Sequence, residues 1–351
     1  STLKKMAADE NAVLIFGSSE LRHGQGSGFH GDTIFDGADM DPIYVGKAGY
    51  QSLTHAITLG AVGSQAANKK AVLIVSPQWF KENGVKSTAF EAAFSEEEYI
   101  ALLENPDISQ ETKDYINGRL QNIMADNETM SEKVKKAREW YQPKDDNTAE
   151  QPGWLEQKKA DFHKVLLEEK NNYKVMAEAL MDGISNHRSR ESGAKLSQAT
   201  WEQLRKEAET EGHKLSDGND YGMFDSVYKG TYRTLIANGK HKNPKYTLDS
   251  MEFSDLECFL SICREEGIEP LVVILPFNGY WYDYTELTAE ERSTFYEKIR
   301  CIAEDYGVQC ADLSGNEYTE YYFEDNSHPA LKGLVDLNEA IYEFYRKDKT
   351  E

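Results

Sequence analysis

Three unbroken apolar runs constrain this chain more than any other feature: Ala12 to Phe16, Ala71 to Val75 and Pro270 to Leu275. Strict alternation would mark strands with one wet face, whereas short continuous runs of Val, Ile and Leu mark strands buried on both faces, as in a parallel sheet covered by helices. Two weaker segments, Pro42 to Val45 and Gly307 to Leu313, bring the set to five. Helical periodicity separates or follows them at about Leu53 to Ala67, Met251 to Glu266, Ala289 to Asp305 and Leu331 to Tyr345. The pattern predicts an α/β protein: a three-layer α/β/α sandwich on a five-stranded parallel sheet, of the flavodoxin-like kind.

Between the third and fourth runs lies a charged stretch, about Lys81 to Asp249, with little strand character. Ser95 to Glu98 reads as the opening of a capping box. Trp154, Leu155, Phe162, Val165, Leu166, Tyr173, Met176 and Leu180 mark helical faces, and Trp201 with Leu204 another, which we read as core-facing. The expected organisation is a catalytic-type α/β core made of residues 1–80 and 250–351. A helical insertion, 81–249, interrupts that core, packs over the sheet and is placed to roof a site.

Composition narrows the function. A net charge of −22 argues against nucleic acid as partner, because phosphate binding relies on clustered Lys and Arg. No run reaches the roughly 18 apolar residues of a membrane span. Cys258, Cys263, Cys301 and Cys310 form no C-x-x-C pair, and no histidine spacing suggests zinc, so we read the cysteines as buried free thiols. Gly26 to Gly31 satisfies G-x-G-x-x-G, but ten residues beyond the first strand, which is the wrong context for a dinucleotide fingerprint. Neither a metal nor a cofactor is expected.

Two segments at opposite ends of the chain carry the chemistry. Gly17-Ser18-Ser19 directly follows the first apolar run, and Asp325-Asn326-Ser327-His328-Pro329 lies near the C-terminus. Each alone has a bland reading, a turn whose hydroxyl caps a helix or a capped helix start with a surface histidine. Together they supply a hydroxyl nucleophile, an imidazole base and a carboxylate to hold that base's tautomer. The order Ser, Asp, His also occurs in α/β-hydrolases, but their G-x-S-x-G pentapeptide is absent. Arg22 and His23, beside the nucleophile, read as solvated residues or as contacts for an anionic substrate. The residues after the fourth run, Asn278, Tyr280 and Trp281, are candidates to line a substrate site or a structural aromatic loop.

These segments resemble the SGNH (GDSL-like) hydrolase superfamily, whose nucleophilic serine follows the first strand and whose Asp-x-x-His-Pro lies near the end. The resemblance implies Ser19 rather than Ser18 as nucleophile, Asp325 and His328 as its partners, and Ser19 and Gly49 as backbone oxyanion donors. Where the superfamily has an asparagine donor this chain has Gln78, whose amide rides on a longer arm. Phe16 to Leu21, Gly46 to Leu53, Ser76 to Phe80 and Leu275 to Tyr284 resemble, more narrowly, the DltD family of D-alanyl transfer proteins. That likeness implies serine-dependent acyl transfer of D-alanine from a D-alanyl donor to lipoteichoic or wall teichoic acid. It also implies a membrane-bound O-acyltransferase as partner, and tethering to the extracellular face of the membrane by an N-terminal anchor ahead of Ser1. A thioesterase or esterase acting on D-alanyl or O-acetyl esters, and a non-catalytic module that recruits the carrier, remain open as alternatives.

Overall fold

The five apolar segments form one all-parallel sheet in a computed structural model that describes residues 2–82, 84–142, 158–167, 193–239 and 242–347. Its strands are β1 (Ala12–Phe16), β2 (Asp41–Val45), β3 (Lys70–Val75), β4 (Glu269–Ile274) and β5 (Gln309–Asp312), in the order β2-β1-β3-β4-β5. The α/β fold class read from the sequence is therefore the one observed. β1 pairs with β2 over its whole length, from Ala12 opposite Asp41 to Phe16 opposite Val45. After β2 the chain crosses back to the other side of β1, where Leu14 to Phe16 pair with Ala71 to Leu73 of β3. The connections after β1 and after β2 thus leave in opposite directions, opening a crevice beyond the carboxyl ends of β1 and β3.

Burial on both faces explains the unbroken runs. Leu14, Phe16, Leu73 and Val272 face one core, against the helices Ser52–Val62, Met251–Glu265 and Ala289–Asp305. Val13, Ile15, Ile74 and Val273 face the other, against the helix Leu331–Arg346. Each such side chain contributes about 1.5–3 kcal/mol by leaving water, so a polar residue on either face of β1 or β3 is costly. Local signals place the helix ends. Thr288 and Glu291 close a capping box that starts Ala289–Asp305. Gly267 and Gly307, at φ +64° and +65°, end the helices that feed β4 and β5, and the next N–H reaches back to the helix, Ile268 to Cys263 and Val308 to Ala303.

The described part of 81–249 is helical and divides between the two faces. Glu96–Glu104 packs on Ser52–Val62 and Gln110–Ile123 on Met251–Glu265, while Gln198–Ser216 lies against Leu331–Arg346. Trp201 is buried and Leu204 packs at the edge of the second core. The stripe read through Phe162, Val165 and Leu166 is corrected: these side chains are 65%, 52% and 47% exposed. In this helical segment the inward face is Ala160 and Leu167, one phase step away. Trp154, Leu155, Tyr173, Met176 and Leu180 lie outside the described residues.

All four cysteines are free. Cys258 and Cys263 are buried, Cys310 is half-buried and Cys301 is exposed, which corrects the expectation that all would be buried. The G-x-G-x-x-G segment runs through a turn into a short helix, Gly31–Ile34, with no strand leading into it. His30, buried there, bonds the Leu21 carbonyl through Nε2 at 3.0 Å and so fastens this loop to the turn after β1.

Candidate active site

β1 ends in a tight 3-10 turn, Ser19–Leu21, at the switch point of the sheet. In the segment from Gly17 to Leu21 every residue is buried except Ser19, which is half-exposed, so the turn presents one hydroxyl to the crevice. Two contacts hold this geometry. The Glu20 carboxyl folds back beneath the turn and accepts the Ser18 N–H at 2.5 Å. The loop after β2 presses against the turn from the side, and only glycine fits at position 46, because a Cβ there would collide with the Gly17 carbonyl.

The C-terminal loop brings the base to this hydroxyl. Ser19 Oγ lies 2.6 Å from His328 Nε2, and His328 Nδ1 lies 2.7 Å from Asp325 Oδ2. The other oxygen of Asp325 accepts the N–H groups of Ser327 and His328, each at 2.8 Å. Burial pushes the Asp325 carboxyl up, but the His328 ring and these two N–H groups outweigh it and hold the acid below its ordinary range. Asp325 is therefore ionised at neutral pH, its bond requires the proton on Nδ1, and Nε2 is left to accept from Ser19.

Glu20 differs. Burial raises its pKa, with the Ser18 and Glu20 N–H groups and the nearby His328 and His23 rings opposing. His23 is not solvated, as a lone surface histidine would be. Its ring stacks on His328 with centroids 3.7 Å apart and planes 12° apart, and its Nδ1 lies 2.8 Å from Glu324 Oε2. Neither Glu20 nor the Glu324–His23 pair was marked by any spacing rule in the sequence.

The other expected residues fall as follows. Gly49 lies on the exposed loop after β2, and its N–H donates to Ser18 Oγ at 3.1 Å, while Ser18 Oγ donates to the Lys47 carbonyl at 3.3 Å. The N–H expected to serve an oxyanion is thus held by the neighbouring serine. Gln78 occupies the 3-10 turn Pro77–Trp79 after β3, half-buried. Asn278 and Trp281 are buried. Asn278 caps the helix Gly279–Tyr284 and donates to the carbonyls of Tyr221 (2.9 Å) and Asp325 (3.1 Å), bracing the loop that carries the base. Trp281 packs edge-on against Tyr221 and Tyr232, and the Tyr232 hydroxyl bonds Asn326 Oδ1 at 2.8 Å. Tyr280 alone of the three is exposed.

Among the described residues no helix is long and apolar enough to cross a membrane, and no cluster of His, Cys, Asp and Glu is placed to hold a metal ion.

This arrangement, a half-exposed serine, an oriented imidazole and an ionised carboxylate, can form and break an acyl ester. Comparison with known proteins places the family. Residues 1–346 match the pattern of the family described as DltD protein. Protein DltD of Bacillus subtilis is 32% identical, over 98% of this chain and 85% of its own length. Protein DltD of Staphylococcus aureus is 26% identical, over 93% and 79%, and that of Lacticaseibacillus rhamnosus 25%, over 99% and 81%. Similarity this extensive, spanning both the serine turn and the histidine loop, makes the chain a member of the DltD family.

Proposed function

We propose that this protein transfers a D-alanyl group to a hydroxyl of lipoteichoic or wall teichoic acid through an ester on Ser19. The observation that carries the reading is the relay from Ser19 Oγ through His328 to Asp325, with bonds of 2.6 and 2.7 Å. His328 Nε2 takes the Ser19 proton as Oγ attacks the carbonyl carbon of a D-alanyl ester or thioester. The tetrahedral oxyanion is met by the Ser19 N–H, by the Gly49 N–H once Ser18 Oγ lets it go, and by the Gln78 amide. As the bond to the leaving group breaks, His328 returns the proton to that group. A polymer hydroxyl then gives its proton to the same nitrogen and attacks the acyl carbon, and Ser19 leaves with the proton restored.

Charge fits the donor better than the acceptor. The excess of acidic residues attracts the free ammonium of a D-alanyl group and repels a polyanion, so tethering at the outer membrane face, next to a membrane-bound acyltransferase, supplies the effective concentration that electrostatics opposes. In this reading residues 1–80 and 250–351 are the catalytic unit and 81–249 its helical covering.

The test is to incubate the protein with a D-alanyl thioester and read the intact mass after acid quench. One added alanyl group on the wild type and none on Ser19→Ala supports the acyl-serine. Turnover to free D-alanine with no transfer to a polyol acceptor makes the enzyme a hydrolase, and no adduct with no turnover removes the catalytic reading.

A further inference from the structure

One face of the His328 ring is covered by a second imidazole, and that contact has no part in the relay described above. His23 and His328 are 3.7 Å apart between centroids and within 12° of parallel. Each ring has its own carboxylate on Nδ1, Glu324 for His23 and Asp325 for His328, at 2.8 and 2.7 Å. The two carboxylates are consecutive in one loop, which closes on itself through the Glu324 N–H to the His328 carbonyl at 3.0 Å. The base is therefore fixed twice: its Nδ1 edge by Asp325, and its plane by His23.

We propose that His23, paired with Glu324, is a positioning residue for the catalytic base, which locks the plane of the His328 ring. The proposal rests on the triad reading above.

The remaining groups around the pair are accounted for. Asp325 and the buried Glu20 both favour a proton on His23, as does Glu324, and together they overcome the burial that disfavours it. Glu20 lies near His328 as well. The phenols of Tyr232 and Tyr282 face Asp325 from the far side and stay neutral, since burial raises both. The Ser19 hydroxyl completes the surroundings of His328.

The experiment measures the rate of Ser19 labelling by a phosphonate and records the low-field Nδ1–H proton of His328 by NMR, in the wild type, His23→Phe and His23→Gln, with urea unfolding to confirm that each variant is folded. Phe keeps a flat ring against His328, and Gln keeps a polar partner for Glu324 without a ring. The expected result is a labelling rate retained in His23→Phe and lowered about tenfold in His23→Gln, with the Nδ1–H signal kept in the first and broadened in the second. Equal rates and unchanged signals in both folded variants overturn the proposal and reduce the stack to packing. A signal that broadens in His23→Gln while the wild-type Ser19 is never labelled upholds the positioning and removes the triad reading instead.

Discussion

Ser18 Oγ accepts the Gly49 N–H and donates to the Lys47 carbonyl, so the first serine of the turn fastens the neighbouring loop while the second, Ser19, faces His328. Ser19→Ala removes the nucleophile and lowers acylation on the order of 10⁶-fold, as in other serine enzymes. Ser18→Ala removes one tether of about 1 kcal/mol and lowers the labelling rate roughly five- to tenfold. Measured labelling rates for the two variants decide the roles, and a dead Ser18→Ala beside an active Ser19→Ala reverses them.

Asn278 ties the base-carrying loop to β4's continuation. Asn278→Ala uncaps the helix Gly279–Tyr284 and strands the part-buried Tyr221 and Asp325 carbonyls, at a cost of about 1–3 kcal/mol in urea unfolding. Asn278→Asp keeps the cap but sets a carboxylate against those two carbonyls, so it restores little. A neutral Asn278→Ala contradicts the bracing role.

Arg292 supports the same region from below. It is fully buried, with Nε and Nη2 on Glu317 at 2.9 and 2.7 Å and Nη1 on Asp283 at 2.8 Å. Glu317 in turn accepts the Tyr296 hydroxyl, and its carbonyl accepts the Gly279 N–H. Arg292→Ala leaves a buried carboxylate unpaired, and about 3–5 kcal/mol of stability is lost. Arg292→Lys does not recover it, because an ammonium cannot make the two-pronged contact. Equal stability of the wild type and Arg292→Lys in denaturant melts argues against that geometry.

His55 gives the fold a pH dependence of its own. It is buried beneath the nucleophile turn between Phe16, Tyr50 and Trp79. Burial pushes it down from 6.5 to about 3, with the Gly17 backbone opposing only in part. The folded state thus refuses a proton that the unfolded chain accepts below about pH 6.5. Stability from this site is complete above that pH and falls by about 1.4 kcal/mol per pH unit until the folded group itself titrates near pH 3. His55→Phe has a shallower loss of melting temperature between pH 6.5 and 4 than the wild type. Identical slopes contradict the assignment.

Much of this was legible in the chain, for identifiable reasons. Residues 12–16, 71–75 and 270–275 are buried on both faces, so their composition announces a parallel sheet without help from context. Ser19 follows β1 directly, and Asp325 and His328 lie on the loop between β5 and the last helix, on the side where a parallel sheet collects the loops after its strands. Asn278 and Trp281 read either as a substrate site or as a structural loop, because a run after a strand looks free, whereas residues 279–284 curl into a helix and both side chains are buried. The Phe162 stripe failed because apolar residues at 162, 165 and 166 and at 160 and 167 are equally helical, and only packing selects the phase. The His23–Glu324 contact spans 301 residues and obeys no local spacing, so nothing short of the fold reveals it.

The most direct test of the central claim is intact mass spectrometry of the folded protein after exposure to a serine-reactive phosphonate, with Ser19→Ala and Asp325→Asn alongside. The relay predicts a single adduct on the wild type, none on Ser19→Ala, and labelling of Asp325→Asn slower by about 10⁴-fold, because its His328 adopts the wrong tautomer. An unlabelled wild type, or an adduct that survives in Ser19→Ala, contradicts the claim that Ser19 is an activated nucleophile.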